Sequence, residues 1–206
     1  MNRPVFARLE PDWAAPRKPF RHSWSGLGNI DQFRWLARAD VLRHLAMARD
    51  ELGVRHVRAV AMYSPELFVY DHPLPQWDRK QNEKCRVPNW QLVDISIENL
   101  LELGLKPIYT TCFTPPEMTD RTPTCWPDRN PVGMPRDLNQ WQEFVADGVD
   151  HHIRRYGREE VRSWYFECWN EPNLAGFFAG TQEEYFRLWA ATWWAVISVD
   201  SELRIG

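Results

Sequence analysis

The chain has 206 residues, 44% of them hydrophobic, which suits one well-buried domain and is too short for two large ones. Twenty-five basic against twenty-eight acidic side chains leave a formal charge of -3, with no run of like charge that would mark a nucleic-acid or membrane surface. No segment approaches the roughly 20 apolar residues needed to cross a bilayer, so the expected partner is neutral or weakly polar.

Residues 1–19 carry Pro4, Pro11, Pro16 and Pro19 among scattered charges and read as an N-terminal extension. They lack the continuous apolar stretch of a secretion signal, so a cytoplasmic location is expected. A first strand is predicted at 20–23, with His22 and Trp24 at its carboxyl end. The first helix is predicted over 31–52, where Leu42, Leu45, Ala46 and Arg49 form a stripe edged by charge. Glu51-Leu52-Gly53 then closes that helix before a strand at 56–60, and Glu102-Leu103-Gly104 repeats the device before a strand at 106–112. Glycine just past a helix accepts the left-handed cap conformation without a Cβ penalty. The intervening helix opens at Asn89, a good cap, and runs to 103. A third helix starts at Asp137, with Gln140 completing a capping-box pattern, and extends to about 156. Tyr156-Gly157 is a looser copy of the exit signal before a strand at 163–169. A fourth helix starts at Thr181, with Glu184 in the same relation, and ends near 199; a strand stub follows at 203–206.

Strands alternating with helices predict parallel strands joined by right-handed crossovers. The count is about four βα units plus the start of strand five, whereas a closed (β/α)8 barrel needs eight strands in about 250 residues. The predicted fold is therefore α/β, a partial TIM barrel, with 20–206 as its N-terminal half. Long loops at 61–88 and 113–136 follow strands two and three, on the carboxyl face where such folds build their sites. A complete doubly wound sheet is the rival, and a stop inside a strand argues against it. An open half-barrel leaves unpaired edges and a bare interior. The chain is thus expected to be part of a larger protein, completed by the missing C-terminal half or by self-association.

Trp169-Asn170-Glu171-Pro172-Asn173 ends the most hydrophobic short strand in the chain. Pro172 has no backbone N–H and pushes Glu171 out of the helical region, so the carboxylate lies where the strand opens into a loop. Four cysteines, Cys85, Cys112, Cys125 and Cys168, lack metal-type spacing and read as small buried thiols, although Cys112 and Cys125 have the separation to bridge a loop. No cofactor and no metal site are expected.

Arg154-Arg155-Tyr156-Gly157, the strand Trp164-Tyr165-Phe166-Glu167-Cys168-Trp169, and Asn170-Glu171-Pro172-Asn173-Leu174 together resemble glycoside hydrolase family 39, the β-xylosidase and α-L-iduronidase family. The similarity covers most of the chain. It implies a retaining glycosidase acting on a carbohydrate such as a β-linked pentoside, with Glu171 as general acid/base and Asn170 binding the hydroxyl beside the anomeric carbon. Trp169, Phe177 and Phe178 would wall the acid and raise its pKa. The family's nucleophile comes from strand seven, which this chain does not reach, so the fragment alone is expected to be inactive. The chain also departs from the family at Arg58-Ala59-Val60-Ala61, where a histidine usually follows the arginine. Val60 cannot hydrogen-bond a hydroxyl. Either the substrate differs, or His22 or Tyr63 fills the gap, or the site has decayed.

Glu167 has the parity of Glu171 but lies deeper, where a lone charge costs several kcal/mol, so it reads as structural with Arg58 as its partner. Arg58 positioning the missing nucleophile is the other option. Of the twelve tryptophans, Trp24, Trp126 and Trp169 lie nearest carboxyl-end loops and are the candidate sugar platforms; Trp193 and Trp194 read as helix packing. Glu66 and Glu117 read as solvated loop charges, and His151 and His152 as surface or packing residues. A carbohydrate-binding protein that has lost hydrolysis is the alternative to an enzyme.

Overall fold

A computed structural model describes residues 10–16, 19, 22–70, 88–120 and 123–206. Four parallel strands form one sheet in the order β1 (Leu27–Gln32), β2 (His56–Val60), β3 (Lys106–Thr111) and β6 (Tyr165–Cys168). Their in-order pairing, with helices between them, is the opening half of a (β/α)8 barrel. Beyond β6, Ile205 pairs in parallel with Phe166, and the Cys168 amide donates to the Gly206 carbonyl at 3.0 Å. The fifth strand thus begins where the alternation places it.

The first strand differs from expectation. It lies at Leu27–Gln32, not at 20–23, and Leu-Gly-Asn-Ile-Asp-Gln has little intrinsic strand preference. Pairing with β2 holds it there: Leu27 aligns with His56, Asn29 with Arg58 and, after an irregularity, Gln32 with Val60. Asp31 absorbs the irregularity with a φ of 69°, a conformation that Asp tolerates better than most residues. The helix expected over 31–52 is consequently shorter and broken. A 3-10 turn at Phe33–Ala37 precedes α1 (Ala39–Met47), and a π turn closes it at Ala48–Leu52.

The helix exits follow the sequence signal. Gly53 and Gly104 take φ of 75° and 71°, and the Gly53 amide reaches back to the Arg49 carbonyl. Helix α2 (Gln91–Glu102) starts under the Asn89 side chain, which accepts from the Gln91 amide at 3.1 Å. Asp137 caps α3 (Leu138–Tyr156) by accepting from the Asn139 and Gln140 amides. The Gln140 side chain leaves the capping box incomplete and donates to the Tyr70 hydroxyl instead. A five-residue helix, α4 (Arg158–Arg162), intervenes before β6 and was not anticipated. Thr181 and Glu184 form both bonds of the capping box at the start of α5 (Gln182–Val199).

Alternation along the strands divides the side chains. Val57, Ala59, Tyr109, Phe166 and Cys168 are buried; the Tyr109 and Phe166 rings meet the helix layer through His152 and each other. Arg58, Ile108, Tyr165 and Glu167 face the barrel interior, which is open here as a concavity of about 870 Å³. Leu27 and Tyr165 are consequently 49% and 40% exposed, although both belong to core strands. Trp193 lines the same concavity, but Trp194 is 58% exposed, so only the first of this pair packs as expected. Cys112, Cys125 and Cys168 are buried free thiols; Cys85 lies outside the described residues.

Candidate active site

The carboxyl end of β6 is a tightly wound turn. Trp169 and Glu171 both adopt left-handed conformations, with φ of 69° and 45°, on either side of Asn170. Two such non-glycine residues within three positions cost about 1–3 kcal/mol each and persist only where their surroundings over-determine them. Those surroundings are specific. The Trp169 indole donates to the Phe177 carbonyl at 2.7 Å, and its ring packs edge-on against Phe113 and Phe178. Leu174 donates to the Glu171 carbonyl at 3.0 Å, and Ala179 donates to Val132 at 2.8 Å. Glu171 therefore stands exposed on a loop fixed from below, and no described residue donates a hydrogen bond to its carboxylate.

The expected apolar wall around Glu171 is arranged differently. Trp169 is 1% exposed and Phe178 is buried, so both pack beneath the loop and neither covers the carboxylate. Trp169 offers no open face to a sugar ring. The left-handed turn at its own Cα directs it into the core and leaves Asn170 and Glu171 to form the rim.

Asn170 is buried and its orientation is fixed. Its Oδ1 accepts from Arg58 Nη2 at 2.9 Å, while Arg58 Nε and Nη2 hold Glu167 at 2.7 and 2.9 Å in a bidentate pair. The Thr110 hydroxyl adds a third bond to the Glu167 carboxylate at 2.9 Å. This pairing is the one parity suggested: Arg58 on β2 and Glu167 on β6 face the same interior, with Thr110 of β3 between them. Burial works against the Arg58 charge, but the hydrogen bond and attraction of Glu167 overcome it, with Glu171 adding to the attraction. The guanidinium is held above its ordinary value.

The remaining predicted site residues do not all meet here. His22 and Trp24 were placed at the carboxyl end of strand one, but both precede β1 and so lie toward its amino end, opposite the Glu171 rim. Misplacing the strand by a few residues inverted the end of the barrel to which they belong. Trp126 is at the rim, half-buried, with its ring edge-on to Phe113 and Phe177 at 5.6 and 5.5 Å. It sits between two short antiparallel strands, β4 (Thr124–Cys125) and β5 (Asn130–Pro131), that the sequence did not suggest. Glu66 is exposed and paired with Arg34. Glu117 is half-buried with one carboxylate oxygen out of water, so it is not the solvated charge expected.

Neither substitute proposed for the gap at Val60 lies beside it. His22 is at the wrong end, and Tyr63 is buried on the helix side against Phe144 and Trp141. Gln32 is the polar residue that aligns with Val60 across the β1–β2 ladder. It is 4% exposed, and its Oε1 has no hydrogen-bond partner among the described residues. Only the position of β1 identifies it. A half-buried group was also missed: Asp128 Oδ2 accepts from the Ser64 hydroxyl at 3.0 Å and from Asn130 Nδ2 at 2.6 Å, joining the loops after β2 and β3.

The family model for glycosyl hydrolases family 39 matches residues 8–206. A β-xylosidase of Caldicellulosiruptor saccharolyticus is 35% identical over 82% of this chain and 33% of its own length. A β-xylosidase of Geobacillus stearothermophilus is 30% identical over 92% of this chain and 37% of its own. The crystal structure of a monomeric β-xylosidase from Caulobacter crescentus superposes with a TM-score of 0.76 at 33% identity, covering 87% of this chain and 35% of that one. The chain thus spans about a third of the length of these relatives.

Proposed function

The chain belongs to glycosyl hydrolases family 39, and from that membership we propose that it supplies the acid/base half of a retaining glycosidase acting on β-linked pentosides such as xylosides. One observation carries the reading. Glu171 is presented at the carboxyl end of β6 with its backbone fixed and its carboxylate free of donors among the described residues, beside an Asn170 oriented by Arg58. The β-xylosidase names of the relatives support the substrate class.

In the first step a second carboxylate, about 5–5.5 Å from Glu171, attacks the anomeric carbon. The glycosidic C–O bond breaks as Glu171 gives its proton to the departing oxygen. In the second step Glu171, now a carboxylate, takes a proton from the water that attacks the same carbon and releases the sugar from the nucleophile. The second carboxylate comes from a later strand, outside this chain. Asn170 donates through its side-chain N–H₂ to the hydroxyl beside the anomeric carbon; Arg58 holds the Oδ1 end and so leaves the amide nitrogen turned to the substrate. Gln32 offers the polar group that Val60 lacks on the neighbouring strand.

An eight-stranded version of the enzyme, given an aryl β-xyloside and followed by proton NMR, is expected to release β-xylose before mutarotation sets in. First appearance of the α anomer would contradict the double displacement. Saturable sugar binding without hydrolysis would favour a carbohydrate-binding protein instead.

A further inference from the structure

The helix layer contains a cluster of ionisable groups that the glycosidase chemistry does not use. Asp94 stands in the first turn of α2, and His151 and His152 lie on α3. One donor atom from each residue falls within 4.8 Å of the others. His151 Nε2 is 2.9 Å from both Asp94 oxygens, and His152 Nδ1 is 3.7 Å from Asp94 Oδ1.

Most of this can be read as a tie between two helices. Asp94 is served by His151, by the Tyr156 hydroxyl at 3.2 Å, and by Arg155 Nε at 3.5 Å. His152 is what the tie leaves unexplained. Its ring is fully buried, its Nε2 lies 3.3 Å from the Tyr109 hydroxyl, and its Nδ1 has no hydrogen-bond partner among the described residues. That unpaired Nδ1 faces Asp94 Oδ1 from beyond hydrogen-bond reach. A buried ring nitrogen left unpaired beside a carboxylate is a poor arrangement for packing alone, and a good one around a cation.

We propose that Asp94, His151 and His152 form a binding site for a zinc-class divalent cation, with water completing the coordination. Two imidazoles and one carboxylate are the donors that borderline cations of this class select, and three protein ligands leave a position open. Asn89, Trp90, Gln91 and Arg155 line a groove with Asp94 and His151 that gives solvent access. Arg155 does not close the site, because its guanidinium also binds Glu98 through Nε at 2.9 Å and can stay there when the ion enters. The ligands come from α2 and α3, on the helix side of β3, whereas Arg58 and Glu167 face the barrel interior. The ion would therefore join the two helices and stand apart from the sugar chemistry.

The test uses the tag-free 206-residue chain, stripped with chelator and titrated with zinc chloride by calorimetry and with cobalt chloride by visible absorption. One equivalent should bind, zinc should raise the melting temperature, and cobalt should develop the visible band of a low-coordinate site. His151→Gln changes a partly exposed side chain and is expected to fold; it should weaken affinity at least tenfold, about the loss that follows disturbance of a metal's supporting shell. Asp94→Asn, checked for native circular dichroism, should do the same. Absence of saturable binding, equal affinity in the His151→Gln protein, or a cobalt–thiolate band placing the ion at a cysteine would overturn the proposal.

Discussion

Replacing Glu171 with Gln in an eight-stranded version of this protein is expected to lower kcat/KM for an alkyl xyloside by about a hundred- to ten-thousandfold, the usual range for losing a positioned general acid. That range corresponds to about 3–5 kcal/mol of transition-state stabilisation. A dinitrophenyl xyloside should keep a nearly unchanged kcat/KM, because its leaving group departs without a proton. Its kcat should nevertheless fall, since the second step still needs Glu171 to take a proton from water, and a burst of dinitrophenol should precede the slow phase. Equal losses in kcat/KM for both substrates would assign Glu171 a role in binding or folding rather than in proton transfer.

Replacing Glu167 with Ala is expected to lower the unfolding free energy of the chain by about 2–3 kcal/mol. The substitution removes the two charged bonds to Arg58 and the bond from Thr110, leaving the guanidinium with Asn170 alone. A fully buried pair broken on one side would cost more, about 3–5 kcal/mol. The Arg58 and Glu167 side chains are 22% and 32% exposed on the open interior, so water recovers part of the loss. Urea denaturation with an unchanged m-value measures it. Replacing both residues with Met should cost less than the two single changes added together, because no uncompensated charge remains. A loss below about 0.5 kcal/mol for Glu167→Ala, the scatter typical of surface substitutions, would show that the pair does not organise the site. The same substitution also loosens the arginine that orients Asn170, so its effect on the proposed sugar site accompanies its effect on the fold.

The parts of the fold written in local chemistry were legible in the sequence. Gly53 and Gly104 end helices in the left-handed conformation because only glycine does so freely, and Thr181 with Glu184 caps α5 as their spacing requires. The Arg58–Glu167 pair was legible for a different reason: strand parity puts both side chains in one interior, where neither charge is tolerable alone. β1 was not legible. Leu27-Gly28-Asn29-Ile30-Asp31-Gln32 becomes a strand through pairing with β2, a non-local bond pattern that its own residues do not announce. That single displacement carried His22 and Trp24 to the wrong end of the barrel and hid Gln32, the residue that aligns with Val60. Trp169 failed as a sugar platform because the left-handed φ at that residue buries its ring, and no propensity forecasts such a turn.

The central claim is that Glu171 exchanges protons on the face of the sugar opposite a covalently bound nucleophile. Adding azide to a Glu171→Ala variant of the eight-stranded enzyme tests it most directly, since azide attacks the trapped intermediate without needing a base. The account predicts that azide accelerates turnover of dinitrophenyl β-xyloside and that the product is β-xylosyl azide. An α-configured azide, or no acceleration with normal folding of the variant, would contradict it.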